Sequence, residues 1–275
     1  MSAVIDQRVA ARRQIKLPSG KGSRLRDGVL GLGTIIVVLA VWELLSRTSV
    51  LPPIAFPPAS EVFARLASLV AQGRFWTSVG LTVGGSVLGL LLVCVVAIPL
   101  GLAIGRVRWI EKSTLLVIEF LKPIPPVALL PLTLLFWGPS MTMKIFLVFM
   151  GAVWPLMVQV AYGAHAMEGP QLDVSRSYRL GFGRTLRYIT LPSLLPYGLL
   201  GLRVSATIAV VVAVVAELIG GAPGMGREIA MAQNAGDLPT MYAYIMATGL
   251  LGLAVNGVFS LLNKPLLFWH PSQRK

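Results

Sequence analysis

Apolar residues run along this chain in six long blocks, at roughly 28–46, 77–104, 115–137, 143–163, 199–219 and 241–262, with short polar stretches between them. A helix rising 1.5 Å per residue needs about 20 mostly apolar residues to cross the hydrocarbon of a bilayer, and each block meets or approaches that length. The stretch from Phe75 to Gly105 carries no charge at all, whereas Glu43 and Glu217 interrupt or end the first and fifth blocks. The pattern predicts an all-α membrane protein with six transmembrane helices. An even number of spans places both chain ends on the same side.

The polar punctuation is itself patterned. Between the first two blocks, Leu51-Pro52-Pro53-Ile54-Ala55-Phe56-Pro57-Pro58 reads as a stiff loop. A short amphipathic helix is then expected from Ser60, as N-cap, to Val70, with Val62, Phe63, Leu66 and Val70 on one side. The segment from Glu168 to Pro196 is the longest interruption. It holds arginines at 176, 179, 184 and 187 and an apolar stripe at helical spacing, Tyr178, Phe182, Leu186 and Ile189. A connection between two spans need only be short, so a long amphipathic one suggests a docking surface. The residues alone also fit a helix lying on the inner leaflet, held there by its arginines.

Composition agrees with the pattern: 55% hydrophobic, 13% charged and a mean hydropathy of +0.77. A soluble domain of average make-up carries about a quarter charged residues. The net charge of +13 would suggest nucleic acid in a soluble protein, but here the 24 basic residues are spread along the chain and serve as an orientation signal. Most of them fall in the N-terminal tail, the 106–112 junction, the 163–198 loop and the C-terminal tail. Only Arg47, Arg65, Arg74, Lys144 and Arg227 fall on the alternate segments, while Lys122 and Arg203 lie within spans. Both termini and the amphipathic loop are therefore expected in the cytoplasm. The organisation predicted is a cytoplasmic tail (1–27), a first transmembrane helix with outer loop and amphipathic helix (28–71), a transmembrane core (72–263) containing the cytoplasmic loop 163–198, and a C-terminal tail (264–275).

Little in the sequence suggests catalysis. No paired acids, nucleophile-base set or metal-ligand spacing appears, the single Cys94 lies within an apolar block, and His165 and His270 stand apart. Gly105 to Ser113 lacks the second glycine of a phosphate-binding loop, so the chain is not expected to hydrolyse ATP. Glu119 and Lys122, three apart, read as a structural ion pair. Gly80/Gly84, Gly85/Gly89 and Gly101/Gly105 are spaced for close helix approach. Prolines at 123, 125, 126 and 131 must break the helix of the third block. Backbone freed within a membrane must be satisfied by protein or face a wet cavity, so this break fits either a pathway wall or a packing kink. An acid at mid-bilayer costs about 2.5–3.5 kcal/mol, which disfavours a lipid-facing Glu217 and leaves the pathway, a gate or an interface.

Three stretches carry a family resemblance. Counting back from Ile189-Thr190-Leu191-Pro192, Asp173 falls where the cytoplasmic coupling loop of binding-protein-dependent ABC importer permeases has its Glu, Val174 and Ser175 fall on two Ala positions, and Arg179 on the Gly. Because Gly181 and Gly183 flank Phe182, the turn that this Gly normally makes is expected two to four residues further along. Pro125-Pro126 with Leu130-Pro131-Leu132 and Phe136-Trp137-Gly138, and Ala216-Glu217-Leu218-Ile219 with Gly224-Met225-Gly226, resemble the sulfonate, taurine and nitrate branch of that family. The resemblance implies a type I importer fold and a non-catalytic subunit in the bacterial cytoplasmic membrane. It also implies a second permease copy, a dimer of ABC ATPase subunits that uses ATP and magnesium, and an extracytoplasmic substrate-binding protein; no cofactor is expected on this chain. Asp173, Arg176, Tyr178, Arg179, Gly181, Phe182, Gly183, Leu191 and Pro192 are the implied ATPase-coupling residues, and Pro123, Pro125, Pro126, Pro131 and Glu217 the implied pathway or gate. The alternatives are an ion-coupled secondary transporter, or a permease for a thiamine precursor or aromatic solute.

Overall fold

The structure, a computed structural model, describes residues 21–48, 50, 52, 55–166 and 177–266. The chain divides into two compact units at Ser60/Glu61. In the first, α1 (Lys21–Arg47) exposes Val29, Leu32, Ile35, Ile36 and Val38, as suits a helix whose neighbour is lipid. Glu43 on α1 accepts a 3.0 Å bond from the Ser60 amide and a 2.8 Å bond from its hydroxyl, and pairs with Arg47 at 2.6 Å. Helix α2 (Ala59–Val70) thus begins one residue before the expected cap. Ser60 sits inside its first turn, where an orphan amide finds the Glu43 carboxylate instead of a serine oxygen.

The second unit is a helical bundle built on α3 (Gly73–Arg106), α6 (Met141–His165) and α8 (Leu191–Gly220). Helix α6 packs along both others. Its buried stripe of Leu147, Val148, Ala152, Leu156, Val160 and Ala164 meets Val93 and Ala97 of α3 and Ala209, Val212, Ala213 and Ala216 of α8. Small residues at these positions bring the axes close, and the Ser205 hydroxyl donates across to the Ala152 carbonyl at 2.7 Å. Helices α9 (Met225–Asn234) and α10 (Leu238–Leu266) pack against α8. Arg203 Nε donates to Asn256 Oδ1 at 2.8 Å, tying α8 to α10. Before α10, Asp237 accepts the Thr240 amide at 3.1 Å and the Thr240 hydroxyl at 2.6 Å, and meets Arg65 of α2 at 3.3 Å. Partial burial pushes its carboxyl up, but the Thr240 bonds and the Arg65 charge outweigh this and hold it below the usual carboxylate range.

The third apolar block is not one rod. An amphipathic α4 (Arg108–Leu121) leads to the prolines, a 3-10 turn (Pro126–Leu129) and α5 (Leu130–Trp137), the two halves bent by 78°. At about 21 Å, α4 is too short to cross the hydrocarbon alone, so the bent pair makes one broken span. Among the described residues five helices are long and apolar enough to cross, or six spans if the bent pair is counted as one. The apolar block of the sequence starts at about 115, whereas the broken span begins at Arg108, so the prolines fall in its middle. Lys144, assigned from the sequence to a loop, instead lies in the first turn of α6, fully buried.

Candidate coupling loop and buried ion-pair site

Two features of the second unit stand at opposite ends of its long helices. At one end, the chain leaves α6 at His165 and returns to α8 at Leu191. Asp173 and Arg176 lie outside the described residues. From Ser177 the chain turns through Tyr178 and Arg179, enters α7 (Phe182–Thr185) and passes through a π turn (Leu186–Thr190) into α8. Of Phe182 and Leu186, only the backbone is described. Tyr178 is 76% exposed, Gly181, Gly183 and Leu191 are also exposed, and Pro192 occupies the first turn of α8, where its missing amide leaves no bond unmade.

The turn itself corrects the expectation from sequence. It has not moved to the flanking glycines: Arg179 takes φ +47°, and neither Gly181 nor Gly183 has a positive φ. Left-handed backbone costs an L-residue about 1–2 kcal/mol, least tolerably when the side chain is β-branched, and arginine is not. The position thus keeps the conformation that a glycine would favour, under a different side chain. Arg179→Gly is expected to raise thermal stability by about 1 kcal/mol with the loop function intact, as unfolding and transport measured on the same preparation would reveal. The base of the loop is anchored where Arg106, at the end of α3, donates to the buried Thr190 hydroxyl at 2.8 Å. Sequence reasoning missed this contact, since nothing local links residues 106 and 190.

At the other end, Glu217 of α8 is fully buried and does not face an open path. Its Oε1 receives Lys144 Nζ at 2.7 Å, and its Oε2 receives the Thr82 hydroxyl at 2.8 Å and the Gly226 amide at 3.0 Å. Lys144 spends its other two protons on the Leu81 and Pro223 carbonyls, each at 2.8 Å. The Met225 amide donates to Thr82 Oγ1 at 2.9 Å. Every donor of the ammonium is used, so this buried pair fastens α3, α6, α8 and the start of α9 into one unit. Gly85 of α3 makes room for the lysine stem, and Gly224 and Gly226 let the backbone lie against Glu217; a Cβ at any of the three would collide.

The proline break lies between α4 and α6. Pro125 precedes the 3-10 turn, Pro126 opens it, and Pro131 sits in the first turn of α5, while Pro123 stands in the turn that ends α4. The Pro126 ring packs against Gly151 of α6, while residues 121–125, 127 and 128 are exposed, so the break touches α6 on one side and is open on the other. Beside α4, a recess of about 180 Å³ is lined by Glu111, Glu119, Lys122, Tyr162 and His165. No ion pair joins Glu119 to Lys122; Glu111 instead meets His165 Nε2 at 3.2 Å, where the start of α4 meets the end of α6.

Residues 97–266 match the family described as binding-protein-dependent transport system inner membrane component. The chain is 25% identical to the taurine transport system permease protein TauC of Escherichia coli, covering 98% of each. It is 28% identical to the putative aliphatic sulfonates transport permease protein SsuC of Bacillus subtilis, covering 92% of each. With the nitrate import permease protein NrtB of Leptolyngbya laminosa it shares 27% identity over 86% of this chain and 87% of that one. Among solved structures, a chain of the inward-facing MetNI methionine ABC transporter superposes with a TM-score of 0.58 at 16% identity, covering 71% of this chain and 99% of that chain. The chain belongs to the family of binding-protein-dependent transport system inner membrane components and is a multi-pass ABC transporter permease.

Proposed function

We propose that this chain is the non-catalytic membrane subunit of an ATP-driven importer in the bacterial cytoplasmic membrane, with both termini and the 163–198 loop on the cytoplasmic side. Two copies would form the path. An ABC ATPase dimer, which alone uses ATP and magnesium, would dock on the loops, and an extracytoplasmic binding protein would deliver the solute. The observation that carries this reading is the left-handed turn at Arg179, on the family's glycine position, in a loop whose base is tied to α3 through Thr190. A rigid lever needs such a base, because force applied at its tip must reach the spans. Asp173, Arg176, Tyr178, Arg179, Gly181, Phe182, Gly183, Leu191 and Pro192 form the ATPase-facing surface in this scheme. The proline break at Pro123, Pro125, Pro126 and Pro131 forms a wall of the path, and Glu217 fixes the far end as a gate anchor. Relatives named for taurine, aliphatic sulfonates and nitrate support a small organic or inorganic anion as the solute.

Orientation is the first thing to test. Single cysteines replace Ser193, beside the loop, and Gln72, in the turn between α2 and α3, in a background where Cys94 is serine. Impermeant maleimide applied to intact spheroplasts should label Gln72→Cys and leave Ser193→Cys unmodified until the membrane is opened. Rapid labelling at Ser193 with none at Gln72 would reverse the topology and remove the loop from the ATPase.

A further inference from the structure

At the end of the bundle remote from the loop, α3, the turn before α9 and α9 itself enclose a recess of about 320 Å³. That is the low end of the volume of small-molecule sites, room for a small solute and not for a peptide. Two guanidinium groups border it, Arg74 and Arg227, against one carboxylate, Glu228. Arg74 is committed: its Nη2 lies 3.0 Å from Glu228 Oε2, and its Nε 3.3 Å from Oε1. Arg227 is not. It is exposed at the recess, with no acid within 4.0 Å and no hydrogen-bond acceptor among the described residues, so its five donors are unspent.

The remaining polar groups add no competing donor. The Thr77 and Ser78 hydroxyls donate back to the Gly73 and Arg74 carbonyls, at 3.1 and 3.0 Å. Leu81 and Pro223 form part of the lining, and their carbonyls are held from behind by the Lys144 ammonium. That ammonium is balanced by Glu217, and Arg74 by Glu228, so the uncompensated charge of the recess resides on Arg227. A planar guanidinium presents paired donors that match an oxyanion better than any other solute class. We propose that this recess is an entry site for a small oxyanion, in which Arg227 holds a sulfonate or nitrate group before the solute enters the path. Its place at the entrance rests on the orientation given under the proposed function; the site itself does not.

The test uses the full permease–ATPase complex in nanodiscs, open on both faces, without binding protein. Ethanesulfonate, nitrate and, as a cationic control, choline are titrated calorimetrically at low salt. Binding of ethanesulfonate or nitrate is expected, weakened at least tenfold in Arg227→Gln and about threefold in Arg227→Lys, with no heat from choline. Thermal unfolding of each variant should match the parent, since Arg227 holds nothing in the fold. Absence of anion binding to the parent complex, or equal binding to Arg227→Gln, overturns the site. Because nanodiscs expose both faces, failure here leaves the topology untouched, and reversed cysteine labelling leaves the anion result untouched.

Discussion

Lys144→Met should unfold this permease more readily than any other single change discussed here. The substitution leaves Glu217 with an unpaired oxygen in a fully buried site and takes the donor from the Leu81 and Pro223 carbonyls. Removing one partner of a buried ion pair typically costs about 3–5 kcal/mol, because the remaining charge can neither pair nor reach water. The start of α9 should loosen with it, since the Gly226 amide is bonded to Glu217 and the Met225 amide to Thr82. Lys144→Met combined with Glu217→Gln removes both charges and should recover most of the loss, as the amide can still accept from Thr82 and Gly226. Thermal unfolding of the purified single and double variants would show this as a large drop followed by partial recovery. A single variant as stable as the parent would mean that the pair does not hold the helices.

The glycine pairs give the second large effect. A Cβ on Gly101 would stand 2.6 Å from the Met157 carbonyl oxygen, and one on Gly105 would press on the Ala161 carbonyl. Both obstacles are backbone of α6, which cannot turn aside as a side chain can. Gly101→Ala and Gly105→Ala should each cost about 1–3 kcal/mol by forcing α3 and α6 apart. Gly80→Ala and Gly84→Ala are the contrast, because a Cβ there meets nothing within 4 Å. These two should be neutral or slightly stabilising, given that alanine favours helix over glycine by about 1 kcal/mol. Sequence spacing treated all three glycine pairs alike; only the contact surface separates Gly85/Gly89 and Gly101/Gly105, which face α6, from Gly80/Gly84.

What the sequence made legible follows from locality. The helices of the spans could be read because each is a continuous apolar run, and the proline break because proline acts on its own backbone. The loop was recognisable from the interval between Asp173 and Leu191-Pro192. Its turn was misplaced because glycine was treated as a requirement for positive φ, whereas Arg179 carries that conformation at modest cost. The Lys144–Glu217 pair was invisible for a different reason. Its members are far apart in the chain, and a lysine near the start of a span reads as a loop charge until α3, α6 and α8 are packed together. The same limit hid the Arg106–Thr190 tie and the Glu111–His165 contact, and helical spacing alone suggested a Glu119–Lys122 pair that the structure does not form.

The central proposal is that the 163–198 loop transmits the work of a separate ATPase to the membrane spans. It is tested most directly by measuring ATP hydrolysis and solute uptake together in proteoliposomes holding the permease, its ATPase and its binding protein, with Phe182→Ala in the permease. An aromatic anchor at the centre of an interface typically costs about 2 kcal/mol or more when truncated, and the charges around it less. The account predicts that Phe182→Ala inserts and folds as the parent does but loses uptake, with hydrolysis either released from solute control or lost together with the ATPase. Normal uptake with normal solute-stimulated hydrolysis in Phe182→Ala would contradict it.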